Sequence, residues 1–171
     1  MRIFAVALLA FTAVASSQEP LRKPLISSDL GGRELSFLTK ANENGVLLNY
    51  LAEEAKTKAA GEQLRAIGDL LANTQQKEND KLIQLAANKG KSFAAQTPAS
   101  LKKLQTKLDS ASGADFDKAC AAELKRVLDE VAANFEAGTK SKDADIKSFA
   151  EQGLAMTKDK LGVVDKLVQQ K

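Results

Sequence analysis

From Arg33 to Gln169 apolar residues recur at every third or fourth position in separated blocks, the spacing of amphipathic helices, and no block reads as a strand. The first block predicts a helix from Arg33 to about Ala59. Leu35, Leu38, Val46, Leu48, Leu51 and Ala55 share a broad stripe on it, with Glu34, Lys40, Glu43 and Glu54 elsewhere. Gly45 weakens this helix by about 1 kcal/mol relative to alanine, which suggests a close approach by a neighbour. Gly61 separates the next block, Glu62 to Lys89, whose stripe is Leu64, Ile67, Leu71, Leu82, Leu85 and Ala86; Gly90 is a natural stop.

The middle of this second helix breaks the pattern. Asn73 to Asp80 is a run of eight polar residues. The simplest reading is an exposed stretch at mid-helix. The sharper one places the amides around Gln75 and Asn79 in a polar core layer or ligand-binding rim, where each would need a partner.

Phe93 to Pro98 reads as a loop, with Phe93 plugging the end of the core. A short helix follows, carrying Leu101, Leu104 and Leu108, with Pro98 suited to its first turn because it has no N–H to satisfy. Ser110 to Ala114 forms a turn on Gly113. Asp115 is placed to cap a fourth helix, which presents Phe116, Ala119, Cys120, Leu124, Val127, Leu128, Val131 and Phe135 and stops at Gly138. The last helix runs from about Asp143 to Gln169 with Ile146, Phe149, Ala150, Leu154, Met156, Leu161, Val164, Leu167 and Val168. Asp143 and Asp145 favour its start, and Lys171 suits its end. Four long helices of matched length and a short one bury their stripes most simply as an all-α bundle.

The N-terminus has a separate character. Met1-Arg2, an apolar stretch from Ile3 to Phe11 and small residues through Ser17 make a secretory signal peptide over residues 1–17. About 13 apolar residues fall short of the roughly 20 that span a bilayer. Residues 18–32, with Pro20, Pro24 and Gly31-Gly32, read as an irregular arm, and residues 33–171 as one helical bundle domain. The mature chain is then expected to be secreted, extracellular or, in a Gram-negative source, periplasmic.

The formal net charge of +3 is small and spread along the sequence, so no nucleic-acid partner is expected. Cys120 is the one cysteine. It permits no internal disulfide and reads as a buried, unreactive thiol, with an intermolecular bridge as the alternative.

Several short motifs resemble an exported bacterial-type family whose helical domain has no assigned function. They are Leu64-Arg65-Ala66-Ile67-Gly68, Leu85 to Gly90, and Gly113-Ala114-Asp115-Phe116-Asp117-Lys118-Ala119, then Phe135-Glu136 and Lys147 to Glu151. The resemblance covers Leu64 to Leu167. It implies a ferritin-like four-helix bundle with one additional short helix. It includes Asp115, Phe116, Asp117 and Phe135, which are read as structural positions beside the buried Cys120. It also carries histidines inside the long helices, and the chain departs from the family at each of them. An Asp-His pair falls on Thr74-Gln75, and two further histidines fall on Leu128 and Lys160. An early glutamate falls on Leu48. These five positions form a candidate degenerate core site.

The chain contains no histidine. A histidine general base and the common zinc sites are therefore excluded, and a ferritin-type di-iron site lacks its Glu-x-x-His pairs. Leu128 cannot coordinate a metal and Gln75 is a poor substitute for imidazole. Glu53-Glu54 and Glu78/Asp80 read as solvated faces, Asp115/Asp117 as cap and first-turn charges, and Lys158-Asp159-Lys160 as solvated. Tyr50 reads as an anchor between core and surface. No catalytic residue, metal or cofactor is expected. The expected function is non-enzymatic binding of an extracellular protein or surface. The alternatives are a lipid-binding or surface-active protein built on amphipathic helices, and a residual enzyme using Lys, Asp or Tyr.

Overall fold

The computed structural model describes residues 30–93 and 98–169. The segment expected to be a signal peptide, most of the expected N-terminal arm and Lys171 lie outside them. Five helices form, α1 (Gly32–Lys58), α2 (Glu62–Asn88), α3 (Ala99–Asp109), α4 (Gly113–Gly138) and α5 (Ala144–Gln169), with no strand among the described residues.

Local chemistry accounts for the boundaries. At the end of α2, Gly90 takes a positive φ of 69°; its N–H donates to the Ala87 carbonyl and the Lys91 N–H to that of Ala86, closing a Schellman turn. Asp143 accepts from the Asp145 and Ile146 N–H groups at 3.1 Å, satisfying orphan donors at the start of α5. Asp115 does not cap α4. That helix begins two residues earlier, with Ser112 at the cap position and Gly113 at φ 55°, and Asp115 lies in the first turn. Asp117 instead reaches across to the α1–α2 connection, accepting from Ala60 N–H at 2.9 Å and Gly61 N–H at 2.7 Å. Pro98 precedes α3 rather than opening it.

The pairing order follows from contacts that can be traced. Gly68 on α2 lies so near α1 that a Cβ there would come within 2.8 Å of the Ala52 carbonyl oxygen. Phe37 near the start of α1 meets Phe135 near the end of α4 at 5.9 Å between ring centroids, so α1 and α4 run antiparallel. Phe149 of α5 closes this aromatic cluster at 6.3 and 5.8 Å from the two rings. Lys89, just beyond α2, pairs with Asp143 and Asp145 at 2.7 Å, which sets the end of α2 beside the start of α5. Because Asp117 holds the beginning of α4 at the opposite end, the connection from α2 to α4 must travel the length of the helices. It carries α3, which buries Leu104 and Leu108 and is tied to α4 by Lys107–Glu123 at 2.6 Å.

The core is apolar along α1 and α4 (Leu38, Leu48, Leu51, Leu124, Val127 and Leu128 are all buried). Several positions assigned to the stripes face solvent instead. Leu35, Met156 and Val168 are 44%, 37% and 39% exposed, while Phe37 and Leu47 are buried on α1 and Gly153 and Thr157 on α5. The bend of the stripe on α1 has a packing reason: this helix meets both α2 and α4, so two faces of it are covered. On α5, Gly153 is required because a Cβ would strike the Phe135 ring at 2.5 Å.

Candidate functional site

The polar run of α2 separates into two faces. Asn73, Gln76, Lys77 and Asp80 face solvent, whereas Gln75 is 4% exposed and Glu78 and Asn79 are half-buried. Positions 75, 78 and 79 continue the helical stripe of Leu71 to Leu82. The exposed reading of this run is thus corrected: one face of it is a polar layer inside the molecule.

Lys160 on α5 completes that layer. Its side chain is only 9% exposed, and its ammonium donates to both Glu78 carboxylate oxygens at 2.8 Å and to Gln75 Oε1 at 3.4 Å. Gln75 in turn donates through Nε2 to Asn79 Oδ1 at 3.0 Å. The solvated readings of Lys160 and Glu78 are therefore wrong. A lysine stem can cross apolar surface while its head finds a carboxylate, which is why its residue type alone misplaced it. Glu54 is also removed from the solvated class: its side chain is 14% exposed and meets Lys58 at 2.7 Å.

The five candidate positions do not behave alike. Leu48 and Gln75 line the same cavity of about 20 Å³, together with Asn44, Asn79, Asn134 and Phe135. That volume suits about one water molecule and no larger ligand. Lys160 reaches Gln75 from the α5 side. Leu128 is fully buried on α4, one turn before Val131, which lines that cavity. Thr74 turns away, its hydroxyl donating to the Leu70 and Leu71 carbonyls at 3.0 and 3.2 Å. The sharper reading of the run names Asn79, whereas Glu78, Asn44 and Asn134 were missed. Their signal was the unbroken helical spacing of the polar residues, which a search for apolar side chains passes over.

The donor set does not fit a metal ion. Glu78 is the one carboxylate in the layer, and the Lys160 ammonium takes both of its oxygens. Positive charge is already supplied by the protein, and a second cation would meet Lys160 at close range. Among the described residues no group of three or more Asp, Glu, Cys or His could hold a metal.

Two other titratable groups of the interior, Cys120 and Glu123, are held in structural roles. Burial, with the Glu54, Asp117 and Glu123 carboxylates adding to it, pushes the Cys120 thiol up to about 12, so the reactive thiolate is suppressed. Cys120 is fully buried beside the Leu51 carbonyl, out of reach of another chain. Burial alone would raise the Glu123 carboxyl, but hydrogen bonds from Lys107 and Arg126 outweigh it and hold it below the usual range.

Residues 24–167 match the model of a family described as a domain of unknown function (DUF4142), and the chain belongs to that family. The match extends the likeness well upstream of Leu64. No curated protein and no solved structure shows a significant match to the chain.

Proposed function

We propose that this chain is an exported, non-enzymatic member of its family that binds an extracellular protein or surface through its exterior. The observation that carries this reading is the closure of the polar layer by Lys160–Glu78–Gln75, which leaves within that layer neither a vacant ligand set nor room for a substrate. The signal-peptide pattern of residues 1–17 supports export. The long crossover between two antiparallel helix pairs supports a ferritin-like bundle, with α3 as the additional short helix. On this reading the scaffold has kept its frame while its central polar positions serve packing.

A second reading, an amphipathic-helix lipid-binding protein, draws support from Leu70 and Ile83 on α2 and from Met156 and Val163 on α5. These are 50%, 53%, 37% and 40% exposed, on two helices that pack less closely than α1 and α2. No described helix is long and apolar enough to cross a membrane.

The test is capture from the native extracellular fluid by the wild type and by a Gln75→Leu/Glu78→Leu/Lys160→Met variant of equal helicity. Retention of the same partner by both is expected. Its loss in the variant would place function in the core layer and sink the reading. Binding to neutral vesicles with a change in helical signal would move the assignment to the lipid reading.

A further inference from the structure

Four cations that lie far apart in the sequence are brought by the fold to one end of the molecule. Where α1 begins and α4 turns into α5 lies a cleft of about 680 Å³, within the range of small-molecule sites. Arg33 and Lys40 line one wall. They sit two turns apart on α1, with Phe37 between them at the base. Lys140 and Lys142 line the other wall, from the α4–α5 turn.

This turn is held in place. The Ser141 hydroxyl donates to Glu34 Oε1 at 3.0 Å and accepts from the Asp143 N–H at 3.1 Å, so the residue between the two lysines is tied to α1. Glu34, the one acidic side chain of the cleft lining, is held by this bond and keeps its charge, so the lining sets four cations against one carboxylate. Among the described residues none of the four cations has a carboxylate partner within ion-pair distance. Lys56, Lys58, Lys89 and Lys107 are paired elsewhere, while other surface lysines such as Lys102 and Lys103 stand alone on helix faces among the described residues; the four cations here differ in lining one concavity. Four like charges facing one concavity raise the local potential and favour an anion that bridges them. Arg33 can grip an oxyanion with two parallel N–H bonds, while the lysines act as point charges.

We infer that this cleft is a binding site for a multivalent phosphate-bearing ligand, either free in solution or as the headgroup of a lipid. The inference rests on the reading of the protein as a surface binder and names the chemistry of one such surface.

Titration of the whole chain with tripolyphosphate, beside sedimentation with phosphatidylcholine vesicles containing phosphatidic acid, tests it. Saturable binding of one tripolyphosphate per chain is expected for a free ligand, and vesicle binding without it for a headgroup. In either case Lys140→Glu/Lys142→Glu should weaken binding about tenfold or more, since a charged hydrogen bond contributes about 1.5–3 kcal/mol. Arg33→Ala/Lys40→Ala checks the opposite wall should the first variant fold poorly. Lys102→Glu/Lys103→Glu, on exposed positions of α3, should leave binding unchanged. Equal weakening by the α3 control, or no binding of either probe, overturns the inference. Retention of an extracellular partner by Lys140→Glu/Lys142→Glu would likewise overturn the cleft as its site, while leaving the surface-binder reading intact.

Discussion

The seam between α1 and α2 and the seam between α2 and α5 solve the same problem by opposite means. At the first, Gly68 lets backbone approach backbone at Ala52 to Lys56, and Gly45 faces Asn79 with no Cβ between them. Close contact excludes water and makes fit the source of stability, because a packed interior has little slack. At the second, the helices stand further apart and charged side chains span the gap: Lys160 to Glu78 midway, Lys89 to Asp143 at the end. Here pairing offsets the cost of partly removing charges from water, and its net contribution is small. One seam depends on shape, the other on partners, and the two should fail differently.

Breaking the tight seam has the largest expected effect. Gly68→Val places carbon where the α1 backbone already stands, and unfolding by denaturant should show a loss of about 3 kcal/mol from overpacking. A loss under about 1 kcal/mol would mean that α1 and α2 can part easily and that the contrast between the seams is false.

Breaking the charged seam from one side comes next. Lys160→Ala leaves Glu78 without its cation, which for a deeply buried pair costs about 3–5 kcal/mol. Glu78 retains 16% side-chain exposure and can turn towards water, so about 2 kcal/mol is expected by the same measurement.

Much of the architecture was legible in the sequence, for physical reasons. Gly90, through its positive φ, and Asp143, through its cap, mark helix ends by chemistry that operates locally, while Gly138 ends α4 where a Cβ would meet Phe37. The side chains of the polar layer were harder. Gln75, Glu78, Asn79 and Lys160 have types that usually face water, and only the partner on another helix makes burial affordable. Two of the inferred degenerate positions, Gln75 and Lys160, do meet, and Leu48 lines the adjoining cavity; Thr74 bonds only to its own helix. Leu35 and Met156 fit a helical period yet face solvent, because the neighbours of each helix decide which arc is covered. The cationic cleft lay beyond local reading altogether. Arg33 and Lys40 are separated from Lys140 and Lys142 by most of the domain, and only the antiparallel pairing of α1 with α4 brings them together.

At the α2–α5 seam the Lys160–Glu78 pair acts as a self-contained packing element with no vacant chemistry. Equilibrium unfolding of the Lys160→Met/Glu78→Leu double variant tests it most directly. Replacing a pair by apolar residues of similar bulk removes the desolvation cost together with the attraction. A stability within about 1 kcal/mol of wild type, or greater, is expected, although Lys160→Ala alone is costly. A double variant that loses as much as Lys160→Ala, or more, would contradict it.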